Sequence, residues 1–137
     1  MGIKGRNTIY LHNSVGENIY FFESPTNTSL GNDIEKLIYD IENLGMTIKR
    51  KTLLFDRSGY SQKCFAFLKS KKIYFVTYLK NRKKERRIDD KLFEEKFFIS
   101  EEGEELFYKI YEGDRRWMRG GLMRIILFMN EDGRQVP

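Results

Sequence analysis

Two runs rich in apolar and aromatic residues, with polar and small residues between them, stand near the start of the chain in a pattern typical of a β-hairpin. The β-rich runs Thr8–Asn13 and Asn18–Glu23 are separated by four mostly polar or small residues. Two such runs around a short turn predict a pair of antiparallel strands. Turn-forming residues fill the following segment, Ser24–Gly31, which we therefore predict to be a loop.

A helix is predicted next, because apolar residues recur every three or four positions. The apolar stripe consists of Ile34, Leu37, Ile38, Ile41 and Leu44. Asn32 is the predicted N-cap, with Glu35 three residues later as in a capping box. Gly45 follows the last turn and is predicted to end the helix, since glycine readily adopts the left-handed conformation found at helix C-termini.

Two short apolar runs flank a second predicted helix. The runs Lys51–Phe55 and Ile73–Leu79 lack polar alternation, which predicts strands that are covered on both faces. Ser61 is the predicted N-cap of the helix between them. The apolar face of this helix is formed by Cys64, Phe65 and Leu68. A helix of about a dozen residues between two strands favours parallel pairing, so the first half of the chain is predicted to be α/β.

After Leu79 the pattern changes to short aromatic runs separated by polar turns. The runs lie around Phe97–Ile99, Leu106–Tyr111 and Leu122–Met129. Turn-forming residues at 101–105 and 130–133 predict that these runs are antiparallel strands. We therefore divide the chain into an α/β portion, residues 1–80, and a β-rich portion, residues 81–137.

Composition excludes several classes of protein. The chain has 137 residues, which fit one domain or a piece of a larger one. It contains a single cysteine, Cys64, and a single histidine, His12, so neither an internal disulfide nor a four-ligand zinc site of the usual kind is expected. No apolar run approaches the roughly 20 residues that cross a bilayer, and residues 1–13 do not resemble a signal peptide. We therefore expect a cytoplasmic protein with no membrane partner.

The net charge of +5 is concentrated in one short segment. Residues 80–87 contain six basic residues and one acidic residue, whereas residues 89–105 contain eight acidic residues and two lysines. A basic run can neutralise phosphates, which makes it a candidate nucleic-acid-binding segment. Its basic residues are Lys80, Arg82, Lys83, Lys84, Arg86 and Arg87. The alternative is a solvated loop whose charge is balanced by the neighbouring acidic block.

A second basic and aromatic cluster surrounds the only tryptophan of the chain. It consists of Arg115, Arg116, Trp117 and Arg119. One interpretation is that Trp117 stacks on a nucleic-acid base. The interpretation that we favour from sequence is that Trp117 packs into the core, with cation–π support from an arginine.

Asp56 is the main candidate for chemistry. It follows the predicted strand Lys51–Phe55, and open α/β sheets place their sites at the carboxyl ends of strands. A carboxylate at that position can bind a divalent metal ion. The alternative is that Asp56 only caps the following helix or pairs with a cation such as Arg57.

The segment from Leu53 to Lys80 reads LLFDRSGYSQKCFAFLKSKKIYFVTYLK. It resembles DDE-type insertion-sequence transposases, in which the second catalytic aspartate ends a buried strand within a D-R-G-G-[WY]-S block. In that family a helix carrying F-x-x-L follows, and the next strand reads F-[IV]-T-Y-x-K. The matching positions are Asp56, Arg57, Gly59, Tyr60, Ser61, Phe65, Leu68, Phe75, Thr77, Tyr78 and Lys80. Ser58 stands in place of the first glycine.

The segments Asn18–Leu30 and Asp132–Pro137 are also similar to family segments. The resemblance implies a partial RNase H-like mixed sheet with helices, followed by a β-rich insertion. It implies that Asp56 is catalytic and binds Mg²⁺ or Mn²⁺, and that the partner is DNA.

The family's first aspartate and final glutamate have no counterpart in this sequence. The expectation is therefore a piece of such an enzyme that is inactive alone and able to self-associate. The alternative is a small, basic, non-catalytic nucleic-acid-binding module. An autonomous metal nuclease would require two further acidic residues that converge on Asp56 in space.

Overall fold

The computed structural model describes residues 5–79, 87–118 and 121–136, which form a mixed α/β structure. The chain divides into two units, Met1–Tyr78 and Leu79–Pro137. This division lies next to the boundary that we placed after residue 80. Among the described residues, the first unit contains both α-helices and the second unit contains a four-stranded sheet.

The elements of the first unit are β1 (Arg6–His12), β2 (Asn18–Pro25), α1 (Leu30–Asn43), β3 (Thr52–Leu54), α2 (Gln62–Ser70) and β4 (Tyr74–Val76). The elements of the second unit are β5 (Glu94–Ile99), β6 (Glu105–Met118), β7 (Gly121–Met129) and β8 (Gln135–Val136). Neither α1 nor α2, the α-helices of the described ranges, is long and apolar enough to span a bilayer.

The predicted hairpin is confirmed, and it packs on α1. Strands β1 and β2 pair in antiparallel fashion. The hydroxyl of Ser24, at the end of β2, donates a 2.6 Å hydrogen bond to the Asp33 carboxylate in the first turn of α1, and both residues are buried. The Tyr20 hydroxyl donates to Asp40 at 3.1 Å further along the same helix. These two bonds hold the hairpin against α1.

Helix α1 is confirmed, but its N-cap was predicted three residues too late. Ser29 caps the helix, and its hydroxyl accepts a 3.3 Å hydrogen bond from the backbone N–H of Asn32. Asn32 therefore lies inside the first turn of α1. Its backbone N–H is one of the free donors at the helix start, and the serine hydroxyl accepts from it. The predicted end is confirmed: Gly45 has φ +78°, and the N–H of Met46 donates to the carbonyl of Ile41 at 3.1 Å.

The predicted βαβ unit is also confirmed. Strands β3 and β4 are parallel, with Leu53 opposite Phe75, and Ser61 caps α2 through the backbone N–H of Cys64. The core of this unit is a buried cluster to which β3 and β4 contribute Leu53 and Phe75 from one face. The buried members of the cluster are Ile34, Ile38, Cys64, Leu68 and Ile73.

The prediction that both faces of these strands are covered is wrong. Leu54 is 75% exposed, and Tyr74 and Val76 are also exposed. Because side chains alternate across a strand, these three residues share the face opposite Leu53 and Phe75. The helices cover one face only, so the continuous apolar pattern of the two runs does not report burial on both sides.

The predicted antiparallel strands of the second unit are confirmed, in the order β5-β6-β7-β8. Gly103 and Gly133 lie in the predicted turns with φ +82° and +75°. A register shift between Glu112 and Asp114 interrupts the pairing of β6 with β7. Strand β5 pairs only with the first part of β6, from Glu105 to Ile110.

Candidate functional site

Asp56 lies at the carboxyl end of the parallel pair, as the sequence predicted. The backbone N–H of Phe55 still donates to the carbonyl of Val76 at 3.2 Å, so the pairing continues to the residue before Asp56. The carbonyl of Asp56 accepts a 3.0 Å hydrogen bond from the hydroxyl of Thr77, just after β4. Two adjacent strand ends therefore fix the backbone from which the carboxylate projects.

The carboxylate of Asp56 caps the short 3-10 turn Arg57–Gly59. Its Oδ1 atom accepts a 2.8 Å hydrogen bond from the backbone N–H of Ser58 and another from the Ser58 hydroxyl. These bonds, the hydroxyl first, lower the pKa of Asp56. The side chain is exposed and negatively charged at neutral pH, which is the state that binds a metal ion. Asp56 is therefore a cap, as we considered from sequence, but of this turn and not of helix α2, which Ser61 caps.

Gly59 holds the turn against the core. A Cβ atom at this position would lie 2.6 Å from Cδ2 of Phe55 and 3.1 Å from Cδ1 of Ile34 on α1. Only a residue without a side chain allows this approach. The glycine of the D-R-x-G segment is therefore explained by packing, because it lets the turn that follows Asp56 lie close against helix α1.

Among the described residues, no cluster of further metal ligands surrounds Asp56. Within residues 5–79, 87–118 and 121–136, no three or more His, Cys, Asp or Glu side chains are placed to hold one metal ion. Cys64 is buried, and burial, followed by the charge of Glu35, raises its pKa to about 11. His12 is exposed on the hairpin, with its Nδ1 3.2 Å from the carbonyl of Gly16.

Most of the basic run lies outside the described residues. This applies to Lys80, Arg82, Lys83, Lys84 and Arg86. Arg87 is described, and its guanidinium contacts both carboxylate oxygens of Asp90, at 2.9 and 3.0 Å. Arg87 is thus paired with a neighbouring acid, and the nucleic-acid-binding role of the run stays a prediction.

Trp117 does not pack into the core, so our favoured interpretation of it was wrong. Its side chain is 81% exposed. The reason is the shape of the sheet: the last residues of β6 pair with β7 alone and form a two-stranded ribbon that β5 does not reach. The register places Trp117 opposite Leu122 and Arg115 opposite Arg124. We call these four residues the ribbon tip.

The ribbon tip combines an aromatic ring with two arginines on one face. Like charges directly opposite each other destabilise a strand pair, and only Arg124 has a described ion pair, 2.6 Å to Glu112. Arg119 lies outside the described residues. An exposed ring next to guanidinium groups can stack on a nucleic-acid base while the arginines contact phosphates.

No protein-family model, curated protein or solved structure matches this chain.

Proposed function

We propose that this chain is part of the catalytic domain of a DDE-type transposase, which cuts and joins DNA strands with Mg²⁺ or Mn²⁺. The observation that carries the proposal is the position of Asp56. It ends a strand of a parallel βαβ unit, inside the D-R-x-G-Y-S segment, with its backbone fixed by Thr77 and its turn fixed by Gly59. Carboxylates in such positions serve metal-dependent chemistry in open α/β sheets.

The order of elements supports an RNase H-like fold as part of this proposal. An antiparallel hairpin precedes a helix, which precedes a parallel strand–helix–strand unit. Hairpin and parallel pair each form a separate two-stranded sheet in the described residues. In the proposed fold they belong to one mixed sheet, and the β5–β8 sheet is the β-rich insertion.

The chemistry proposed for the complete site is phosphoryl transfer with two metal ions. Water or a 3′ hydroxyl would lose its proton and attack the phosphorus to form a new P–O bond; the P–O bond to the leaving 3′ oxygen would break, and that oxygen would take up a proton. The role of Asp56 is to bind the ions through its carboxylate. Two further carboxylates are required, and none converges on Asp56 in the described ranges. We therefore propose that this chain alone does not cleave DNA. We also propose that it resides in the cytoplasm.

A manganese titration followed by NMR tests the metal-binding role. Weak binding is expected from a single carboxylate, with paramagnetic broadening centred on Asp56 and Ser58. The change Asp56→Asn removes the charge while keeping an oxygen that can cap the turn, and it should abolish the local broadening. Asp89→Asn is the matched control, because Asp89 caps another 3-10 turn through the N–H of Lys91 at 3.1 Å. Broadening that Asp56→Asn leaves unchanged would contradict the proposal.

A cleavage assay tests the proposed inactivity. Supercoiled plasmid incubated with the chain and Mg²⁺ or Mn²⁺ should remain intact. Robust nicking that is lost in Asp56→Asn would show that the chain completes an active site by itself.

The second candidate function is a non-catalytic nucleic-acid-binding module. The exposure of Trp117 beside Arg115 favours it. Because Trp117 is the sole tryptophan, its fluorescence reports on this site alone. Quenching by single-stranded DNA that falls steeply with salt, is lost in Arg115→Glu and is unchanged in Asp56→Ala would support this candidate. Absence of quenching at low salt would exclude the ribbon tip as a base-stacking site.

A further inference from the structure

The two faces of the β5–β8 sheet are covered differently within the second unit. On one face, the buried ring of Phe93 packs on Tyr111, with 5.8 Å between ring centroids. The side chain of Gln135 donates to the carbonyl of Ile88 at 2.7 Å, which ties the segment 87–93 to the same sheet. Leu127, which pairs with Tyr111 across the strands, is buried. This segment therefore covers the Tyr111 end of one face, while Phe97, Ile99 and Phe107 on the same face stay exposed.

The opposite face carries a row of aromatic rings that runs across three strands. Phe98, Tyr108 and Phe128 have centroids 6.0 and 6.2 Å apart. Phe98 is 51% exposed, and Phe128 is also exposed. By the strand register, the aliphatic residues beside this row are Leu106, Ile110, Ile126 and Val136. We call these seven residues the open face. Charged residues share this side of the sheet and are paired within it: Glu94 with Lys96, and Glu112 with Arg124. A sheet with such a face is normally stabilised by a second layer.

The ends of the sheet carry opposite charges. The turn between β5 and β6 contains four glutamates, at 101, 102, 104 and 105. The far end contains Arg115 and Arg124 on the side of the open face; Arg124 is paired with Glu112, so Arg115 is the cation that this end offers to a second copy. Ten residues of strand separate Glu105 from Arg115, which is about 33 Å. This exceeds the Debye length of about 8 Å at physiological salt, so the two ends do not neutralise each other within one copy.

The centre of the open face is also the midpoint between these charges. Residue 109 lies midway between Gly103, in the acidic turn, and Arg115, and its neighbours Tyr108 and Ile110 belong to the open face. We consider a twofold axis that passes above this point, parallel to the sheet and perpendicular to the strands. Rotation about this axis places the open face of one copy against the open face of another. The same axis brings the acidic turn of each copy over Arg115 of the other.

We propose that a second copy of this chain docks on the open face with its strands antiparallel to those of the first. The two sheets form a sandwich about 10 Å thick, a separation that glutamate and arginine side chains bridge together. The second copy is chosen as the occupant because its apolar row and its charge pattern are both complementary to this face under one symmetry operation.

Two adjacent residues of β5 allow a matched test of the apolar contact. Phe98→Lys places a charge on the open face, and sedimentation equilibrium should show the dimer weakened by at least about tenfold, since burying an unpaired charge costs more than 1.4 kcal/mol. Phe97→Lys places the same charge on the other face, where Phe97 is 60% exposed, and should leave the dimer unchanged. Circular dichroism confirms that both variants fold.

Charge reversal tests the orientation. The pair of changes Glu102→Arg and Glu104→Arg should weaken the dimer, as should Arg115→Glu, and the three changes together should restore it. A chain that stays monomeric at high concentration overturns the proposal. Equal loss in Phe97→Lys and Phe98→Lys overturns the choice of face, and failure of the combined variant to recover overturns the antiparallel arrangement.

Discussion

Replacement of Asp56 separates what its carboxylate does for the fold from what it does for chemistry. The change Asp56→Ala removes the acceptor of the Ser58 N–H and hydroxyl bonds. Loss of a cap of this kind costs about 0.5–2 kcal/mol, and we expect the lower end of that range because water can replace the acceptor at this exposed site. Asp56→Asn keeps an oxygen at the same position and should cost only a few tenths of a kcal/mol.

Urea denaturation followed by the helical circular dichroism signal is the appropriate assay. Among the described residues both α-helices belong to the first unit, so this signal reports on the unit that contains Asp56. Asp89→Ala, which removes a similar cap in the second unit, should leave the transition unchanged. A loss above about 3 kcal/mol in Asp56→Asn would refute the reasoning, because it would reveal a buried, structural role for the charge.

The contribution of Asp56 to stability should also depend on pH, in a direction that follows from its lowered pKa. The Ser58 hydroxyl and then the Ser58 backbone N–H lower the pKa of Asp56 below its unfolded value. The stabilisation from its negative charge is therefore present above the unfolded pKa of about 3.9, and it is lost as the pH falls through the folded pKa. Ser58→Ala should raise the pKa of Asp56 toward its usual value, which an NMR titration of the carboxyl carbon measures directly. A pKa that does not move would refute the assigned cause.

Three further predictions concern the first unit. Leu68→Ala should destabilise it by about 2–5 kcal/mol in urea denaturation, because Leu68 is fully buried (0% exposed), whereas the exposed Leu54→Ala should change stability by no more than about 0.5 kcal/mol. Gly45→Ala should lower the thermal midpoint, at a cost of about 1 kcal/mol, because residue 45 has φ +78°; an unchanged midpoint would contradict the left-handed helix end. Cys64 should resist alkylation at neutral pH until urea unfolds the chain, because burial raises its pKa to about 11; rapid labelling of the native protein would contradict this.

The sequence predicted those parts of the fold that depend on local signals. The hairpin, helix α1 and the βαβ unit follow from apolar runs, helical spacing, turns and caps within a few residues of each other. The misplaced cap of α1 shows the limit of such signals, since Ser29 and Asn32 are both good capping residues and only the backbone geometry chooses between them.

Burial was harder to predict because it depends on what packs against a strand. The run that contains Leu54 and the run that contains Val76 are uniformly apolar, yet the structure leaves both side chains exposed. Trp117 was misjudged for a related reason: whether a tryptophan is buried depends on how far β5 extends along β6, and this pairing is not visible in the sequence around Trp117.

For the candidate site, the sequence predicted the position of Asp56 at a strand end but not its contacts. The strand–turn–helix pattern is local, so the backbone position could be inferred. The bond from Thr77 and the packing of Gly59 on Phe55 bring together parts of the chain that only the fold places side by side.

The exposed side of the parallel pair, with Leu54, Tyr74 and Val76, should affect how well this chain is recovered during purification. Exposed apolar surface of this kind marks a site of intermolecular contact or aggregation. Recovery during purification should therefore depend on protein concentration and on mild surfactants, and a polar substitution such as Val76→Thr should improve the yield without altering the helices.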